Sequence, residues 1–252
     1  MTPQQGDTIA VWFSCGAASA IAARLTVDRY GSDYDVRVVN NPVAEEDPDN
    51  RRFLDDVADW LNVEIEDAKS SRFPSASAVD IWDARKAMAF PMGAPCTIEL
   101  KKRARQEWEA ANSPDWHVLG FTAEERHRHD RFVLTERENV LPVLLDARIG
   151  KAQAMEMLTD AGISLPAVYR RGYPNANCIG CVKASSPTYW NHVRQQDPET
   201  FAARAEQSRR LGAKLVRVNN ERIFLDELHP AAIGRPMVDA LGDCGIFCEE
   251  RT

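Results

Sequence analysis

The segment that most constrains the fold is residues 9–19, IAVWFSCGAAS. Ile9, Ala10, Val11 and Trp12 lead into Phe13 as an apolar run of strand length. Ser14-Cys15-Gly16-Ala17-Ala18-Ser19 then carries no bulky side chain before a helical stretch from Ala20. Such a loop lets backbone N–H groups approach an anion closely, and the following helix N-terminus adds a positive dipole end. Ser14, Cys15, Gly16, Ala17 and Ser19 are therefore candidate phosphate-binding residues. A plain strand-to-helix turn is the competing reading, because short Gly/Ala/Ser turns occur throughout alternating folds.

The pattern continues as strand and helix in alternation. Residues 35–40 (DVRVVN) read as a strand, 41–50 as a turn-rich acidic loop, and Phe53, Leu54, Val57, Trp60 and Leu61 recur at helical spacing. Residues 63–65 and 116–121 supply further strands. The expected fold is α/β, a Rossmann-like, mostly parallel sheet flanked by helices, with a smaller cysteine-bearing C-terminal unit. The expected division is 1–140 for the nucleotide-binding domain and 141–252 for the unit packed on it. Ligands sit at the carboxyl ends of such strands, which adds Asn40 to the candidate crevice. Residues 187–210 read as helical and polar, with Tyr189, Trp190, Val193 and Phe201 on an inner face, and 214–218 with 222–225 as a hairpin over Asn219-Asn220.

At 252 residues the chain can bury one sizeable core. Its net charge of −7 argues against a general positive field for nucleic acid, leaving room for a local basic patch. No apolar run approaches the roughly 18 residues needed to cross a bilayer, and the first five residues are too polar for a signal peptide. A cytoplasmic protein without membrane contact is expected.

Six cysteines are too few for a disulfide scaffold in a chain this long, so they read as ligands or reactive thiols. Cys178-x-x-Cys181 and Cys244-x-x-x-Cys248 are close pairs, and Cys96 follows Gly93-Ala94-Pro95 at the start of a basic helix. The helix dipole, with Lys101 and Lys102, favours thiolate at Cys96. Thiolates converging from distant segments can hold an iron–sulfur cluster or zinc. In residues 122–131, Arg126, Arg128 and Arg131 directly follow a strand end, where guanidinium forks can clamp an anion; a solvated face is the plainer alternative.

The Ser-x-Gly-x-x-Ser loop resembles the PP-loop of the adenine nucleotide alpha hydrolases, with Cys15 where a second Gly is usual and Ala18 where an Asp is usual. Within that superfamily several separated motifs, spread from about Ile9 to Cys248, resemble the PAPS and APS (sulfonucleotide) reductases. The loop containing Glu46 and Asn50 is similar to the segment that helps hold the adenosine, and residues 120–131 to the reductases' arginine motif. The run from Pro142 through Gly172-Tyr173-Pro174 to Cys181 is similar to the segment leading to the cluster-binding Cys pair. Asp243-Cys244-Gly245-Ile246-Phe247 looks like the Glu-Cys-Gly-Ile/Leu-His tail that carries the nucleophilic cysteine.

The resemblance implies a PAPS reductase-family oxidoreductase of sulfur metabolism. Cys244 would be the nucleophile attacking the sulfur of PAPS or APS, and a thioredoxin-like dithiol would resolve the adduct. Cys96, Cys178 and Cys181 would hold a 4Fe-4S cluster, with Cys248 as fourth ligand or resolving thiol. Zinc bound by Cys178, Cys181, Cys244 and Cys248 is the structural alternative. An ATP-dependent sulfurtransferase acting on tRNA or on DNA, as in phosphorothioation, is the rival reading, and a non-catalytic nucleotide-binding accessory protein the third. The oligomeric state, a homo-oligomer included, is open.

Overall fold

The computed structural model describes residues 2–90 and 93–240, with the backbone alone at Asp239 and Ala240. Cys244 and Cys248 lie outside the described residues. The chain forms two compact units built from interleaved segments.

The first unit comprises the chain up to Asn41, Pro48–Ala68 and Gln106–Ala167. Its sheet has five parallel strands, β1 (Thr8–Phe13), β2 (Asp35–Asn40), β3 (Ile65–Asp67), β4 (Trp116–Val118) and β5 (Val140–Leu141), in the order β3-β2-β1-β4-β5. The α/β expectation therefore holds. β1 lies at the centre because its run from Ile9 to Phe13 is apolar on both faces, and each of these residues is buried. Helix Ala17–Tyr30 is rich in small residues, burying Ala20, Ile21, Ala22 and Ala23. Helix Asp49–Leu61 buries Phe53, Leu54, Val57 and Leu61, the stripe read from the sequence, and ends on Asn62 in the left-handed conformation.

The order reverses at β1: the chain moves outward through β2 and β3, then returns to the other side of β1 with β4 and β5. The carboxyl ends of β1 and β4 thus flank a topological switch point, where open parallel sheets place their ligands.

The second unit comprises Pro42–Asp47, Lys69–Arg105 and the chain from Val168 onward. A cluster including Trp82, Met88, Tyr189, Trp190, Val193 and Leu225 forms its core. Glu45 caps helix Ala78–Arg85, accepting from Ala78 N at 2.8 Å and Val79 N at 3.2 Å, where a carboxylate meets the positive helix end. The hairpin pairs β6 (Val216–Val218) with β7 (Glu221–Ile223). Its turn residues Asn219 and Asn220 have φ of 47° and 67°, as a tight two-residue hairpin requires.

Three expectations are corrected. Residues 141–167 belong with the sheet, because β5 pairs with β4 in place of opening a C-terminal unit, so no single cut after residue 140 separates the units. The helical stretch 187–210 divides into two helices, Pro187–Gln196 and Pro198–Arg210, because Pro198 cannot donate into the preceding turn and restricts Asp197. The basic helix after Cys96 begins as a π-helical segment, Thr97–Arg103.

Candidate functional sites

In the first unit the loop after β1 is tied around one hydroxyl. Ser19 Oγ accepts from Ser14 N at 3.1 Å, Ser14 Oγ at 3.2 Å and Gly16 N at 3.3 Å, and donates to Gly16 O at 2.9 Å. Three donors from the loop therefore converge on one oxygen at the start of helix Ala17–Tyr30, the arrangement an oxyanion requires. Asn40, ending β2, donates from Nδ2 to Phe13 O at 2.8 Å and to Cys15 Sγ at 3.5 Å, fixing the strand end and the loop together. Cys15 is buried with φ of +54°, a left-handed conformation. Glycine would adopt that conformation without strain.

Two residues the sequence reading did not single out complete this edge. Gly120, two residues beyond β4, lies against the helix start: a Cβ there would sit 2.9 Å from Ser19 N and 3.1 Å from Ala18 C. Arg51, in the first turn of helix Asp49–Leu61, donates to Asp67 Oδ2 at 3.2 Å, which raises its pKa, and its guanidinium also lies within electrostatic reach of Cys15. The position of Arg51 just after the loop beyond β2 was the available signal.

The arginine candidates divide. Arg128 is ion-paired with Glu125 and stacks over the Phe121 ring, 5.5 Å from its centroid. Arg126 and Arg131 are solvent-exposed on helix Arg126–Thr135. Glu124 is held below the usual carboxylate range by its own backbone N–H and the Thr122 hydroxyl, with a further contribution from Lys151.

In the second unit Cys96, Cys178 and Cys181 all join the same apolar cluster. Among the described residues, no three His, Cys, Asp or Glu side chains are already drawn together as a metal-binding set. Cys96 precedes the π-helical segment. Lys101, expected to favour its thiolate, is buried and paired with Glu46 at 3.2 Å. Glu46 and Asn50, read together as one adenosine-holding loop, belong to different units.

Turn 178–181 is more closely built. Cys181 N donates to Tyr189 Oη at 2.8 Å, and the Tyr189 phenol, fully buried, is pushed well above its usual pKa by desolvation. Gly180 has φ of +69°, and a Cβ there would meet Arg204 Cγ at 3.1 Å. Arg204 is 5% exposed, donates from Nη1 to Gln207 Oε1 at 2.8 Å and lies 4.7 Å from the Trp82 ring centroid. Its Nε has no hydrogen-bond partner among the described residues. Burial pushes its pKa down, while Glu45 and the Cys178 thiol oppose that shift. Soft thiol donors beside an orphaned buried N–H donor are a suitable environment for an anionic, sulfur-rich group: the residues present fit an iron–sulfur cluster, and the thiols equally fit zinc.

No family model matches the chain. No curated protein matches it either. One solved structure with a similar chain path is the U34-tRNA thiolase NcsA from Methanococcus maripaludis with its [4Fe-4S] cluster. It aligns with a TM-score of 0.47 at 8% identity, over 83% of this chain and 73% of that one. Among the described residues no helix is long and apolar enough to cross a membrane.

Proposed function

We propose that this chain is a nucleotide-dependent sulfurtransferase of PP-loop type, with the adenine nucleotide held in the first unit and the sulfur chemistry placed on the cysteines of the second. The observation that carries the reading is that three thiols, Cys181 within the apolar core of the second unit and Cys96 and Cys178 packed against it, belong to the same unit. Cys96, Cys178 and Cys181 would hold a 4Fe-4S cluster, which would supply a site for binding sulfur.

The chain's own contributions follow from the residues. The loop donors of Ser14 and Gly16, which Ser19 gathers, bind a nucleotide phosphate oxygen at the helix start. Arg51 adds a cation at the same sheet edge. Activation consists of attack by an acceptor oxygen on the ATP α-phosphate, releasing pyrophosphate; the incoming sulfur nucleophile then displaces AMP.

The sulfonucleotide reductase reading rests on the Cys244 tail motif in the sequence and remains the second reading. One experiment separates them. Protein purified and reconstituted anaerobically with iron and sulfide is given either ATP, sulfide and an RNA or DNA mixture, or PAPS or APS with a dithiol. AMP and pyrophosphate with thiolated nucleosides support transfer. Sulfite formation that is lost in Cys244→Ser overturns it in favour of the reductase.

A further inference from the structure

We propose that Arg204 is the fixed counter-charge of the cysteine site, its buried guanidinium balancing the negative charge that the Cys178 and Cys181 thiolates and their bound group bring into the second unit. The inference rests on the reading of these cysteines as ligands and assigns a role to a residue outside the ligand set.

A charge buried to this depth is costly unless an opposite charge meets it. The direct partners of Arg204 are neutral: the Gln207 amide and the face of the Trp82 ring. Glu45 lies within electrostatic reach, but its carboxylate is engaged by the Ser77 hydroxyl and by the N–H groups of Ala78 and Val79. The other ionisable groups within reach are Cys178, Tyr189 and Cys181, and desolvation keeps the Tyr189 phenol neutral, which leaves the two thiols.

Contact geometry places the guanidinium at the turn itself. The Cβ position of Gly180 is 3.1 Å from Arg204 Cγ and 3.5 Å from Arg204 Nε, the nitrogen without a hydrogen-bond partner. Glycine is needed at residue 180 for two reasons, its φ of +69° and the Arg204 stem packed where a side chain would start. A planar, weakly hydrated guanidinium also suits the slot against Trp82 better than a compact ammonium would.

Reduction adds negative charge to a thiolate-held cluster, so a fixed cation stabilises the reduced form most and raises the midpoint potential. The same cation strengthens any thiolate-bound metal. The test uses the full-length protein, reconstituted anaerobically with iron and sulfide for redox titration, and the apoprotein with zinc in competition with a chromophoric chelator. Arg204→Met is expected to shift the potential negative and to weaken zinc binding about ten- to hundredfold. Arg204→Lys, which keeps the charge, is expected to preserve most of both.

An unchanged potential and zinc affinity in Arg204→Met overturns the proposal. So does Arg204→Lys falling as far as Arg204→Met, since the role would then be packing alone. If Arg204→Met does not fold, Arg204→Gln against Arg204→Lys carries the same comparison. Wild-type protein that takes up neither iron nor zinc overturns the ligand reading and this proposal together. Wild-type protein that loads normally beside an unaltered variant overturns the role of Arg204 alone.

Discussion

Gly120 and Ser19 meet backbone to backbone, so closely that a methyl group on Gly120 would lie 2.9 Å from Ser19 N. The segment following β4 thereby sets the height of the helix that follows the loop after β1. Gly120→Ala forces one of two backbone segments to shift, at an expected cost of about 1–3 kcal/mol. Thermal unfolding should show a melting point lowered by several degrees, and calorimetric titration should show weakened ATP binding. An unchanged ATP affinity would separate this contact from the nucleotide site.

Cys15 offers the opposite experiment. Its left-handed φ of +54° is strained for any residue with a Cβ, so Cys15→Gly removes strain at the cost of the buried thiol and its contact with Asn40 Nδ2. Stability is expected to stay within about 1 kcal/mol of the parent, or to rise. Cys15→Val, β-branched at the same φ, should lose more than 1 kcal/mol, about the scale of local backbone strain. Equal stabilities by urea unfolding would show that the loop relaxes freely.

The thiols are separable from the nucleotide loop in the same way. Cys178→Ser and Cys181→Ser are each expected to abolish stable iron and sulfide retention while leaving ATP binding near the parent value. Metal analysis after anaerobic reconstitution, paired with ATP titration, checks both halves. Full iron retention in either variant would remove that cysteine from the ligand set.

Alkaline pH provides a test that needs no ligand. Tyr173 donates to Asp197 Oδ2 at 2.5 Å, and burial followed by this carboxylate raises its pKa. An unfolded tyrosine ionises near pH 10. Above that pH the unfolded chain gives up this proton while the native chain keeps it, so stability falls as pH rises. The slope reaches about 1.4 kcal/mol per pH unit for each such group, and none of it is present below pH 9. Tyr173→Phe should start less stable at neutral pH, by about 1 kcal/mol for the lost hydrogen bond, and show a shallower decline from pH 9.5 to 11 in urea titrations.

Much of the first unit was readable because its signals are local. The run Ile9 to Phe13 is apolar enough to be a central strand wherever it occurs, and the small residues after it can only form a tight turn. The stripe Phe53, Leu54, Val57 and Leu61 has the period of one helix face. β5 escaped notice as a sheet strand because it is two residues long and gains its identity only by pairing with β4. The break at Pro198 was visible in the residue type and outweighed by the helical composition on either side.

In the sites, the residue types were legible and their neighbours were not. Gly120 reads as one residue of a strand over 116–121 until the distance to Ser19 is known. Arg204 sits in a polar helical stretch and reads as solvated, yet it is 5% exposed beside turn 178–181. Charge runs mislead in the same manner: Arg128 is committed to Glu125, and Lys101 to Glu46.

The chain passes between its two units at 41/42, 47/48, 68/69, 105/106 and 167/168. Ile179 N, next to the first cysteine of the pair, is bonded to Glu45 O, from a segment more than a hundred residues earlier. No continuous stretch of the gene therefore encodes either unit. A truncation, a fusion point or a recombination event inside residues 42–167 severs both at once, so the five-stranded sheet and the cysteine-bearing unit can be inherited, expressed or lost only together.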